Sequence, residues 1–138
     1  MSNADTLATV ASVIAGFGAA MLSFRLGREV TAQEEGEYSW IPWADALLIA
    51  AIFVSLLLVV FPIVTFRTLS GFAAKLPVAA CSASCLLVAG YVLAILADYR
   101  LLFGRKRRGE GKNPEPTERW IVISTAVICL GLFVWLLI

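Results

Sequence analysis

Four long runs of apolar residues, Thr6 to Phe24, Ala44 to Phe66, Pro77 to Ala97 and Trp120 to Ile138, alternate with polar stretches along the chain. Each run matches the ~20 residues a helix needs to cross a hydrocarbon core of ~30 Å. Only Asp45 is charged within them; every other Asp, Glu, Lys and Arg falls between runs or ahead of the first. No run alternates apolar with polar positions as a barrel strand does, and an open strand in lipid leaves its backbone groups without partners. The pattern predicts an all-α fold: a polytopic integral membrane protein with four transmembrane helices packed as a compact bundle. It forms one domain over residues 1–138, with helices at about 6–24, 44–66, 77–97 and 120–138 and a basic loop at 98–119.

Aromatic and breaker residues mark the ends of the runs. Trp40, Pro42 and Trp43 precede the second helix, Pro77 is expected to open the third and Trp120 the fourth, with Trp135 near its end. Trp favours the membrane–water interface and Pro suits a first helical turn. Pro62 sits inside the second run, where its ring removes a backbone donor. A bend near Phe61 and a looser passage from Ile63 to Leu69 are expected. Gly71 predicts a turn, and Gly109, Gly111, Pro114 and Pro116 predict an extended third loop. Met1 to Asp5 lacks the basic segment of a cleaved secretory signal, so the first run is read as a retained helix.

Basic residues orient the chain. Loop 1 (25–43) carries Arg25 and Arg28, and loop 2 carries Arg67 and Lys75. Loop 3 carries Arg100, Arg105, Lys106, Arg107, Arg108, Lys112 and Arg119. Loops 1 and 3 share a side, and cytoplasmic loops hold the excess of Lys and Arg. This places loops 25–43 and 98–119 in the cytoplasm and both termini outside. Glu29, Glu34, Glu35 and Glu37 do not reverse it, because acidic residues contribute little to orientation. The expected location is a cell membrane, the bacterial inner membrane by default. The run Arg105, Lys106, Arg107, Arg108 serves as the topogenic signal and is expected to contact anionic lipid headgroups, at ~1 kcal/mol per basic residue.

Composition then narrows the chemistry. The chain of 138 residues is 60% hydrophobic, with 11 Lys and Arg against 10 Asp and Glu, a formal charge of +1. So balanced a charge gives no field for nucleic acid, and the basic run lacks interleaved aromatic residues. There is no His, the commonest general base and metal ligand. Ser55, Tyr91, Ser124 and Thr125 read as packing groups that bond a neighbouring helix or the carbonyl four residues back. Cys81, Cys85 and Cys129 read as small packing residues, since no cation at their depth favours a thiolate. Asp5, Asp45 and Asp98 lie at run boundaries rather than mid-depth, where an ion-coupled carrier places its charge. Asp45 is expected to be solvated beside Trp43, and Asp98 to form an interfacial cluster with Arg100. No catalytic residue, cofactor or metal site is assigned, and an enzyme is not expected.

Small residues are the remaining signal. Ala8, Ser12, Gly16 and Ala20 recur every four residues in the first helix, beside Ala11, Ala15, Ala19 and Ser23. Close backbone approach across such residues drives helix association in lipid. Helix 1 is therefore expected to be central, with Ala8, Ser12, Gly16 and Ala20 as packing or pore-lining positions. A second small cluster, Ala79, Ala80, Ser82, Ala83 and Ser84, lies in the third helix. The stretch Gly16-Phe17-Gly18-Ala19-Ala20-Met21 resembles the pore helix of store-operated calcium channels, although Phe24 stands where that family has its acidic filter residue. Size and helix count also resemble small multidrug-resistance transporters and fluoride channels. Thr6 to Phe24 lacks the embedded Glu of the former, and Pro77 to Ala97 lacks the Phe-rich stretch of the latter.

The expected function is helix association, as a homo-oligomer or an accessory subunit of a larger membrane protein. The alternative is a homo-oligomeric ion or small-solute channel with helix 1 lining the pore. A membrane effector acting through its loops is a third reading, limited by loops too short for a folded sensor domain.

Overall fold

A computed structural model describes residues 3–34, 43–66, 71–98 and 116–138. The run Arg105 to Arg108 lies outside the described residues, as do Glu35, Glu37, Trp40, Pro42, Arg100 and the side chains of Glu29 and Glu34. Within the described residues the chain is helical: α1 is Asn3–Glu34 and α2 is Trp43–Val54. A π-helical segment, Ser55–Val60, continues α2 directly into α3, Phe61–Thr65. Then come α4, Phe72–Asp98, and α5, Pro116–Leu137. Four stretches are long and apolar enough to span a membrane: Asn3–Gly27, Trp43–Thr65, Ala73–Ala97 and Glu118–Leu137.

The helices exceed the apolar runs because helix propensity does not stop where apolarity does. α1 continues to Glu34 through Arg25, Leu26, Arg28, Glu29, Ala32 and Gln33, mostly good helix formers. α4 begins at Phe72, so Pro77 does not open it. Pro77 sits just past the first turn, and its missing N–H removes only one helical bond. Gly71, with φ +59°, makes the turn before α4.

Pro62 does interrupt the second apolar run, but on its N-terminal side. The ring clashes with the carbonyl four residues back, and there the ladder widens: the Phe61 N–H donates to the Leu56 carbonyl, five residues earlier. Ile63 to Thr65 return to α-helix, so the looser passage expected from Ile63 to Leu69 does not begin at Ile63; Phe66, at φ −104° and ψ 110°, ends the rod, and 67–69 lie outside the described residues.

The expectation that helix 1 is central is overturned. Eleven of the 25 residues of Ala73–Ala97 are buried, against three of 25 in Asn3–Gly27 and four of 20 in Glu118–Leu137. α4 touches α5, the α2–π rod and α1. The reason is that α4 offers small residues in several directions: Ala79, Ala80, Ala83, Ser84, Gly90, Ala94 and Ala97 are all buried. Two apolar clusters result. One gathers Leu47, Leu48 and Ala51 of α2 with Ala83, Leu87 and Tyr91 of α4 and Val122 and Cys129 of α5. The other gathers Ala11 of α1, Val59 of the π segment, and Ala80 and Cys81 of α4.

Candidate functional site

The charged residues nearest the core meet where α2 and α5 begin. Asp45 is the third residue of α2, and Glu118 is the third of α5. Both stand in first turns, where four backbone N–H groups lack helical partners and the helix dipole favours an anion. Glu118, only 1% exposed, reaches to the other helix: the Ala44 N–H of α2 donates to Glu118 Oε1 at 2.9 Å. Asp45, 5% exposed, accepts the charge of Arg25, which follows the apolar run of α1; Arg25 Nη1 lies 3.1 Å from Asp45 Oδ1. Arg119, exposed beside Glu118, holds its guanidinium 5.6 Å from the Trp43 ring centroid, within cation–π range.

The expected solvation of Asp45 is therefore corrected: it is a buried ion-pair partner. The apolar pattern alone does not mark Glu118, although Pro116 followed two residues later by Glu is a helix-start signal. Together the contacts tie α1, α2 and α5 at one end. At the opposite end, Lys75 Nζ donates to the Ile138 carbonyl at 3.1 Å. The Arg25–Asp45 pair gains little net stability after desolvation, but separating its members would strand a charge. Its chemistry is positional: it carries no nucleophile, and with the Glu118–Ala44 bond it fixes how α1 and α5 sit against the start of α2.

The small-residue faces of α1 divide. Ala11, Ala15 and Gly18 are buried, and a Cβ added at Gly18 would lie 2.7 Å from Ile52 Cγ1 and 3.5 Å from Leu48 Cδ1. Ser12, Gly16 and Ala20 are exposed, Ala8 is half-buried, and a Cβ at Gly16 would meet nothing within 4 Å. Ser12, Gly16 and Ala20 of the four-residue stripe thus face away from the rest of the chain, and Ala8 is partly covered.

Cys81, Cys85 and Cys129 are free thiols; Cys129 is buried and donates to the Ala83 carbonyl at 3.6 Å, bridging α5 to α4. Among the described residues no group of three or more His, Cys, Asp or Glu converges as a metal site. Large apolar side chains, including Phe24, Phe53, Phe61, Leu130 and Trp135, are exposed around the helices, a surface compatible with lipid. Compared with protein-family models, curated proteins and solved structures, the chain matches none.

Proposed function

We propose that this chain is an integral membrane protein that acts by helix association and assembles with further copies of itself through the outward face of α1, without catalytic activity. The observation that carries this reading is the exposure of Ser12, Gly16 and Ala20 on a helix whose other small face, Ala11, Ala15 and Gly18, already holds it to the fold. Exposed small residues spaced by four allow the close backbone approach that favours helix pairing in lipid. Exposed apolar side chains on all four long helices support a bilayer setting.

In this reading the helices form a four-helix bundle in a cell membrane, the bacterial inner membrane by default. Loops 25–43 and 98–119 lie in the cytoplasm and both termini outside, following the basic residues. The run Arg105 to Arg108 contacts anionic headgroups.

Native mass spectrometry of the protein released from mild detergent tests the proposal. Two or more copies per particle are expected. A monomer overturns it, and so does one copy retained on a larger protein, which would instead identify an accessory subunit. Four or more symmetric copies would bring the Ser12, Gly16 and Ala20 face toward a common axis, the arrangement a pore requires, and liposome flux would then separate a channel from a packing seam.

A further inference from the structure

The hydroxyl-bearing side chains of these helices mostly bond the carbonyl four residues back. Thr9 donates to Asp5, Ser23 to Ala19, Ser82 to Val78 and Ser84 to Ala80, at 2.8 to 3.0 Å. Ser55 departs from this habit. Its side chain is fully buried, and its Oγ has no hydrogen-bond partner among the described residues. It opens the π segment, on the buried face that runs from Ala51 through Val59 to Pro62. It falls between the two apolar clusters, since Ala51, one turn back, belongs to one and Val59, one turn on, to the other.

The backbone just beyond has surplus acceptors. The Phe61 N–H is used on Leu56, and the Phe66 N–H on Pro62. The carbonyls of residues 57 to 61 must therefore be served by the N–H groups of residues 62 to 65, and Pro62 has none. Phe61–Thr65 is α-helical, so the ordinary pattern assigns the Val64 and Thr65 N–H groups to the Val60 and Phe61 carbonyls. Leu57, Leu58 and Val59 are left to share the Ile63 N–H, so two of their three carbonyls have no helical donor. Their Cα atoms lie about 3–6 Å along the axis from that of Ser55; Leu58 and Val59 share its side of the helix, and Leu57 lies on the exposed side. The orphan hydroxyl and the orphan carbonyls thus fall within about one turn, and buried waters commonly satisfy such groups. The two clusters on either side include small residues of α1 and α4, Ala11, Ala80 and Ala83.

We propose that the stretch from Ser55 to Pro62 is an internal site for bound waters, which accept from the Ser55 hydroxyl and donate to the surplus carbonyls among residues 57 to 59. The site makes the second apolar helix hydrated near its middle, where a proline-locked π segment keeps it so. It holds for one copy or several, and rests on the membrane reading only for the dryness of its surroundings.

Water-edited solid-state NMR of the full chain in phosphatidylcholine liposomes tests it. Early water-to-protein transfer is expected at residues 55 to 59, with none at Ala83 to Leu87 of α4. Ser55→Ala and Pro62→Ala, the latter restoring a donor, should each reduce that transfer. Residues 55 to 59 as dark as Ala83 to Leu87 would overturn the site and leave the membrane reading intact. Equally fast transfer along all of α4 would overturn the dry setting as well as the site.

Discussion

Gly90 of α4 and Thr125 of α5 approach so closely that a Cβ added at Gly90 would lie 2.2 Å from Thr125 Cγ2 and 2.6 Å from its Oγ1. Thr125 is branched and buried, so it has little room to turn away. Gly90 is thus a point of close approach of the two helices. Gly90→Ala gains at most about 1 kcal/mol of helix propensity and is expected to lose about 1–3 kcal/mol to overpacking. Reversible unfolding in mixed micelles should show a net loss of stability. Thr125→Ser in the Gly90→Ala background should recover part of it by removing the Cγ2 contact; an unchanged or stabilised Gly90→Ala would show that the helices separate without cost.

The Arg25–Asp45 pair gives a second expectation. Asp45→Ala leaves the half-buried Arg25 guanidinium facing the start of α2, and breaking a buried pair on one side costs about 3 kcal/mol. Replacing both members, Arg25→Met with Asp45→Leu, removes the stranded charge and should restore most of the loss. A double-mutant cycle measured by unfolding gives the coupling. Additive effects, with no recovery in the double variant, would mean that the two charges do not depend on each other.

Glu118 should separate charge from acceptor. Glu118→Gln keeps a side-chain oxygen for the Ala44 N–H, whereas Glu118→Ala leaves that buried donor unmade, at about 1–3 kcal/mol. Hydrogen exchange at the Ala44 amide is the direct reading: protected in the wild type and in Glu118→Gln, faster in Glu118→Ala. Equal protection in all three would remove the cap from the account.

These residues also show what the sequence makes legible. Apolar runs of about 20 residues, with Asp45 their one charge, would leave only helix as a state for the backbone in lipid, so the four long helices could be read directly. The contacts that gather at the start of α2 could not. Arg25 is 20 residues before Asp45, and Glu118 is 74 after Ala44, whose N–H it accepts; a charge beside a Trp looks solvated until another helix closes over it. The exchange of centrality between α1 and α4 has a similar origin. Both helices are rich in Ala, Gly and Ser, and only the tertiary arrangement decides which small faces are used inside the chain. Pro62 announced a disturbance, but the wider π ladder upstream of it reflects how the Phe61 N–H finds an acceptor, a matter of three-dimensional geometry.

The two glycines of α1 on opposite faces separate folding from assembly. Gly18 faces Ile52 and Leu48 inside the chain, while nothing lies within 4 Å of a Cβ at Gly16. Gly18→Leu must displace the α1–α2 contact and is expected to lower stability by about 1–3 kcal/mol or more, whatever the number of copies. Gly16→Leu adds its side chain on the outward face. It should leave helical content and single-chain unfolding nearly unchanged while holding neighbouring backbones apart, and thus reduce the oligomer fraction seen by cross-linking in the membrane. Unfolding follows the first effect and cross-linking the second, so the two variants should move different readouts. If Gly16→Leu leaves cross-linking at the wild-type level, the outward face of α1 is a lipid-facing surface rather than a seam, and self-association must use another helix. If it lowers unfolding stability as Gly18→Leu does, Gly16 packs within the chain after all.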